Sequence, residues 1–138
     1  MIHKGKKVSS SNQPSSDFHG FGEDIRREIA SKIKIKSNLR VLDVGTGFGR
    51  NVRFLSSIIP PPREIWSIDA DAEAIEKVKL ELEKEKLTDG IYFKQGIAED
   101  LPFPDEYFDY VVSVMLLHHM TSIENGIREM VRVTKKGR

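Results

Sequence analysis

Ile25, Ile29 and Ile33 recur every fourth residue between Glu23, Arg26, Arg27 and Lys32, which predicts a helix with one apolar stripe laid against a sheet. Leu39 to Val44 then reads as a first strand. Arg50 to Ile59 returns to the helical period, with Val52, Leu55, Ile58 and Ile59 inward, and is stopped by Pro60, Pro61 and Pro62. Ile65 to Asp69 is a second strand. Asp71 suits the cap of the next helix and Glu73 the positive end of its dipole, while Ile75, Val78 and Leu82 form the buried face of a charged segment reaching Lys86. Ile91 to Lys94 is a short third strand. Gly96 to Tyr107 carries Pro102 and Pro104 and no period, so it is a loop. The nearly unbroken apolar run Phe108 to Met115 predicts a fourth strand covered on both faces. Thr121 and Glu124 have capping-box spacing, Ile123, Ile127 and Met130 share a helical face, and Lys135, Lys136 and Gly137 make a helix end.

Strands alternating with helices imply parallel strands joined by crossovers, an α/β fold with a doubly wound, mostly parallel sheet. Ligands of such sheets sit beyond the carboxyl ends of the strands. At 138 residues the chain suits one domain, expected over 17–138. The first sixteen residues, rich in serine with Asn12 and Pro14, bury too little apolar surface to offset ordering and are expected to form a flexible tail.

Charge and composition narrow the partners. The 38% hydrophobic and 31% charged content is that of a water-soluble domain, and the net charge of +1 gives no clear nucleic-acid signature, although Lys4, Lys6 and Lys7 could touch an anionic surface. The run Tyr110 to Leu117 is far short of the roughly 20 residues of a membrane helix. The amino terminus lacks the apolar block of a secretory signal, and with no cysteine in the chain a cytoplasmic location is expected. No H-E-x-x-H, cysteine cluster or G-x-S-x-G elbow is present, so neither metal binding nor hydrolase chemistry is expected.

The chemistry concentrates in Val41-Leu42-Asp43-Val44-Gly45-Thr46-Gly47-Phe48-Gly49. Alternate glycines after a strand let a flat ligand lie against the turn and the following helix start. A dinucleotide fingerprint spaces them G-x-G-x-x-G and presents amides to a pyrophosphate. Here the spacing is G-x-G-x-G, and Asp43 ahead of it would repel phosphates but suit a ligand carrying an ammonium and a sulfonium, as S-adenosyl-L-methionine does. A nicotinamide-dependent oxidoreductase is disfavoured on the same grounds. Asp69 ends the second strand at 69 − 49 = 20 residues past Gly49, the offset at which an acid reaches a ribose hydroxyl pair in nucleotide-binding α/β units. Phe48, within the loop, either packs on the next helix or touches the ligand.

This segment closely resembles motif I of the class I S-adenosylmethionine-dependent methyltransferases, and the stretch Gln95 to Asp109 is similar to the G-D-A-E-x-L-P-F-x-x-x-x-F-D loop of their ubiquinone-methyltransferase-like branch. The resemblance implies a Rossmann-like methyltransferase fold with S-adenosyl-L-methionine as cofactor and a small-molecule methyl acceptor. It assigns to cofactor binding Asp43, Gly45, Thr46, Gly47, Gly49, Asp69, Ala70 beside the adenine, Ile97, Ala98, Glu99 and Val114. Ile97 stands where the branch carries an acid, which leaves the adenine amino group to Glu99, Asp100 or a backbone carbonyl. Glu99 and Asp100 otherwise belong to a solvated loop. Val114, Met115 and Leu116 fall near the transferable methyl in the family, with core packing as their alternative. His118 and His119 are the candidates for an optional base, or are structural.

Arg128 to Arg138 looks like the R-E-x-x-R-V-L-K-P-G-G segment that leads to a fifth strand in the family. Family members continue through strands five to seven, so the fold is expected to be incomplete after the helix following strand four, leaving that strand's edge open. A longer parent chain or a homodimer through the strand-four edge would answer it. A noncatalytic S-adenosylmethionine-binding module or subunit is the alternative function.

Overall fold

The computed structural model describes residues 15–114 and 120–137. The expected tail up to residue 14, together with Met115, Leu116, His118 and His119, lies outside the described residues. In chain order the elements are α1 (Ser15–Lys32), β1 (Arg40–Val44), α2 (Arg50–Ile58), β2 (Glu64–Asp69), α3 (Ala72–Lys84), β3 (Ile91–Gln95), β4 (Tyr110–Ser113) and α4 (Ile123–Val133). Helix α1 begins at Ser15, two residues inside the segment expected as tail.

The strands form one parallel sheet in the order β3-β2-β1-β4. The chain winds outward from β1 through β2 to β3 and then returns to place β4 on the other side of β1. The order therefore reverses between β1 and β4, and the glycine loop leaves β1 at this switch point, where open α/β sheets bind ligands.

Each sheet face has its own core. On one, Val41, Ile65, Ile91 and Val112 meet Ile25, Ile29 and Ile33 of α1, Val52 and Leu55 of α2, and Val78 and Leu82 of α3. The isoleucine stripe of α1 is thus buried as its four-residue spacing requires. On the other face Leu42, Val44, Ile68 and Val111 lie beneath Leu101 and Phe108 of the loop and Met130 and Val133 of α4. Val111 and Val112 are both fully buried, as expected of a strand covered on both sides.

Two details of α4 differ from the sequence reading. Its cap is Ser122, whose Oγ accepts from the Asn125 amide at 3.2 Å, and not Thr121, whose hydroxyl and amide are both engaged by Glu99. Ile123 and Ile127 are exposed, because α4 packs on the core through Met130 and Val133, with Gly126 against Met120 and Ala98.

Strand β4 is the edge of the sheet, but its start is not bare. Past α4 the chain turns alongside it: Phe108 donates to the Val133 carbonyl and Lys135 donates to the Phe108 carbonyl, and Phe108 and Thr134 form a parallel bridge. No helix among the described residues is long and apolar enough to cross a membrane.

Candidate functional site

The register brings the ends of β1, β2 and β3 level: Val44 is opposite Ile68, and Asp69 is opposite Gln95. Three loops leave from this line and are tied together by backbone. Gly45 and Thr46 both donate to the Ile68 carbonyl, at 2.8 and 2.9 Å, and Gly96 donates to the Asp69 carbonyl. The glycine turn is thereby clamped onto the end of β2.

Gly45, Gly47 and Gly49 all have positive φ, at 103°, 53° and 84°. At Gly47 a side chain would point into open space, whereas at Gly49 a Cβ would lie 2.7 Å from Val78 Cγ1 and 2.9 Å from an Arg53 nitrogen. Gly49 is thus needed both for its backbone angle and for the close seating of α2 against α3. Gly49→Ala is expected to lower stability by about 1–2 kcal/mol, read from the urea unfolding midpoint. An unchanged midpoint would show that Val78 and Arg53 yield freely. As the N-cap of α2, Gly49 offers no side-chain acceptor, and the first turn carries no acidic residue. The positive end of that helix therefore faces the loop without a built-in anion.

Asp69 is half-buried and uses both oxygens: Oδ2 accepts from the Gly47 amide at 3.1 Å and Oδ1 from the Asp71 amide at 2.9 Å. Lone pairs remain for further donors. Ala70 beside it is exposed, its carbonyl accepting from the Gln95 side-chain amide at 3.0 Å. Sequence reasoning passed over Gln95, which braces the turn after β2.

Asp43, expected at the cofactor site, is wholly buried beneath the glycine loop. It lies on the same sheet face as Val41, so its side chain points inward between β2 and α2. Ser67, opposite it in register, donates to Oδ2 at 2.9 Å, and Thr46 Oγ1 lies 2.7 Å from the Ser67 hydroxyl. Oδ1 completes no well-formed hydrogen bond, although the Asn51 side chain of α2 lies within reach of the carboxyl. Burial pushes the Asp43 carboxyl up to about 7, opposed by the Ser67 hydroxyl, reinforced by the negative charge of Asp69 and opposed more weakly by the Asn51 side chain. Ser67 was missed in the sequence, although a hydroxyl at an inward position of an otherwise apolar strand was the available signal.

The other candidates line the same edge. Ile97 is exposed, as an apolar wall facing solvent, while Ala98 is buried in the core with Leu42 and Ile68. Glu99 turns to the segment before α4: its Oε2 accepts from the Thr121 amide at 2.7 Å and hydroxyl at 2.8 Å, and from the Ser122 amide at 3.4 Å. The Thr121 hydroxyl is the main reason its carboxyl is held below the usual range. Asp100 is exposed, and Val114 is partly buried against the α1–α3 core. Phe48 is 75% exposed, its only ring contact on the next helix being the Arg50 guanidinium 5.9 Å from its centroid among the described residues.

A family model described as a methyltransferase domain matches residues 42–137, from the start of the glycine motif to the turn after α4. The chain belongs to this methyltransferase domain family. It is 35% identical over 115 residues to the uncharacterized methyltransferase YcgJ of Bacillus subtilis, covering 83% of this chain and 44% of that one. With the ubiquinone/menaquinone biosynthesis C-methyltransferase UbiE of Pseudomonas aeruginosa it shares 34% identity over 103 residues, 75% of this chain and 40% of that one. The crystal structure of YcgJ superposes with a TM-score of 0.73 at 29% identity over 80% of this chain and 45% of that one. The fold is also that of a SAM-dependent methyltransferase from Aquifex aeolicus, with a TM-score of 0.70 at 23% identity over 80% of this chain and 58% of that one. The chain spans less than half the length of these two curated relatives. The doubly wound parallel sheet of the family is therefore present.

Proposed function

We propose that this chain carries the S-adenosyl-L-methionine site of a methyltransferase that acts on a small-molecule acceptor. The observation that carries the reading is the construction of one edge: a three-glycine turn braced by the Asp69 carboxylate, over a buried carboxyl with an unpartnered oxygen, beside a helix end with no anion of its own. Such a site suits an amino-acid zwitterion joined to a nucleoside. The amino end of α2 would face the carboxylate, Asp43 would favour the ammonium and sulfonium through its charge beneath the loop, and Asp69 would accept from the ribose hydroxyls. Ala70 and Ile97, both exposed and apolar, would flank the adenine.

The cofactor, when bound, supplies the activated methyl group. What the chain contributes is position and shielding: the turn glycines permit close approach, and the backbone bonds of Gly45 and Thr46 to the Ile68 carbonyl, with the Gly47 bond to the Asp69 carboxylate, hold the turn. A base for the acceptor would come from His118 or His119, which follow β4 in the sequence. UbiE, whose name assigns it C-methyl transfer in quinone biosynthesis, supports the choice of a small-molecule acceptor.

Titration calorimetry of the full chain with S-adenosylhomocysteine and with NAD tests the cofactor. Micromolar binding of the first and none of the second is expected, and the reverse would end the proposal. Asp69→Ala should weaken S-adenosylhomocysteine at least tenfold, about 1.4 kcal/mol. Equal affinity would remove Asp69 from the site. Methyl transfer to a quinol separates an enzyme from a module that only binds the cofactor.

A further inference from the structure

Three polar side chains sit where the sheet face should be apolar. Thr46, Ser67 and Asp43 are all essentially inaccessible, on the loop after β1, on β2 and at the end of β1. They form one chain of contacts, 2.7 Å from Thr46 Oγ1 to Ser67 Oγ and 2.9 Å from Ser67 Oγ to Asp43 Oδ2. Each hydroxyl has a single proton. When Asp43 is ionised it can only accept, so Ser67 must donate to it and Thr46 must donate to Ser67. When Asp43 is protonated, it can donate to Ser67, and the direction of both bonds can reverse. The Thr46 amide is at the same time fixed to the Ile68 carbonyl, within the turn that holds Gly45 and Gly47.

We propose that Ser67 is a positioning residue in a hydroxyl relay that ties the charge of Asp43 to the glycine loop, so that capture of a cationic amino-acid ligand ionises Asp43 and releases a proton. The role deepens the cofactor reading and rests on it for the ligand. The only bond to break is the O–H bond of the Asp43 carboxyl, whose proton passes to water while the electron pair stays on the carboxylate.

The groups around Asp43 leave the relay as its principal polar connection to the loop. From β2 it meets Ser67 and the charge of Asp69, from α2 the neutral amide of Asn51, and opposite it in register on β4 stands Val112, which is apolar. Burial holds the carboxyl near 7, so the two charge states interconvert near neutral pH and the relay has two directions to choose between.

Carbon-detected NMR of the ligand-free full chain follows the Asp43 carboxyl and the amides of Gly45, Thr46 and Gly47 from pH 5 to 9, in an Asp69→Asn background that silences the neighbouring carboxylate. The loop amides should move with the Asp43 midpoint. In Thr46→Val, of the same shape without the hydroxyl, Asp43 should still titrate but the amides should cease to follow. In Thr46→Ser they should follow as before. Ser67→Ala should move the Asp43 midpoint up by about one pH unit, since the hydrogen bond favouring the ionised form is lost. Amides that ignore Asp43 in the parent, or follow it equally in Thr46→Val, would overturn the relay. Calorimetry with S-adenosylhomocysteine on the chain with Asp69 intact, in phosphate and in Tris at pH 6.5, reads the proton. Net release is expected, and binding without release would overturn the ligand-coupled half. No binding at all would defeat that half together with the cofactor assignment, while the ligand-free titration would still decide the relay.

Discussion

Asp43→Asn is expected to make the protein more stable at pH 8 while weakening its binding of S-adenosylhomocysteine. In the native chain the carboxyl ionises near 7, against 3.8 for an unburied aspartate. Between these values the unfolded chain has released a proton that the folded chain still holds, so the contribution of Asp43 to stability is greatest below about pH 4 and falls as pH rises towards 7, after which it levels. The difference corresponds to about 4 kcal/mol at pH 8, as the cost of holding an uncompensated charge beneath the loop. Asparagine removes that cost and keeps an acceptor for Ser67, but places an amide where Oδ1 had no partner. A net gain of about 2 kcal/mol at pH 8 is therefore expected, shrinking to nothing or reversing at pH 4. Chemical denaturation at the two pH values reads it. S-adenosylhomocysteine affinity should fall at least tenfold, because the charge that favours the cationic ligand is gone. A variant destabilised equally at both pH values would show that Asp43 is an ordinary structural acceptor, and unaltered affinity would exclude its charge from recognition. Opposite signs for stability and binding are what a strained functional group produces.

The fold was largely legible because each element has a local period. The α1 stripe, the proline stop after α2, the Asp71 cap and the apolar run of β4 all depend on neighbours within a few residues, and all lie in the structure close to where the sequence put them. Asp71, for example, caps α3 by accepting from the Glu73 amide at 2.9 Å. The site was legible in composition but not in depth. The glycines and Asp69 reach one edge as their spacing implied, whereas nothing in the spacing says that Asp43 lies under the loop. That depends on the register with Ser67, 24 residues away. The shifted cap of α4 has the same origin. Thr121 has the right spacing from Glu124, but Glu99, from a loop 22 residues earlier, claims both its amide and its hydroxyl, and Ser122 caps instead. Ile127 illustrates the converse. Its helical face is apolar in the sequence, yet the sheet is met by Met130 and Val133, leaving Ile123, Ile127 and Val131 exposed.

Arg132 is the other residue whose role only the three-dimensional arrangement discloses, and its removal should cost more than any other surface change in the molecule. The sequence shows it only as the second arginine of an R-E-x-x-R-V segment. In the fold its guanidinium makes five hydrogen bonds: Nε and Nη2 to the Glu129 carboxylate at 2.7 and 3.0 Å, Nη2 to the Leu101 carbonyl at 2.9 Å, and Nη1 to the Phe103 carbonyl at 2.9 Å and Asp105 at 2.7 Å. Glu129 also accepts from the Leu101 amide at 2.8 Å, so one ion pair on α4 holds both backbone groups of Leu101. The proline-containing loop has few backbone bonds of its own, and its Leu101 and Phe103 carbonyls accept from this fork. Asp105 is largely exposed and contributes little, but Glu129 is mostly covered and its charge would be left without a cation. Arg132→Met keeps the stem and loses every bond, and is expected to cost about 3 kcal/mol in urea unfolding at pH 7. Arg132→Lys should recover less than half of this, since an ammonium cannot span two carbonyls and a carboxylate in one plane. Amide exchange at Leu101 and Phe103 should quicken in both variants before global unfolding does. Because the same loop carries Ala98 and Glu99 at the strand ends, S-adenosylhomocysteine affinity should drop about threefold alongside, a loss of roughly 0.6 kcal/mol. A change of less than 0.5 kcal/mol in Arg132→Met, with exchange unaltered, would mean that the aromatic contacts of Phe103 with Trp66 and Phe108 hold the loop without the fork.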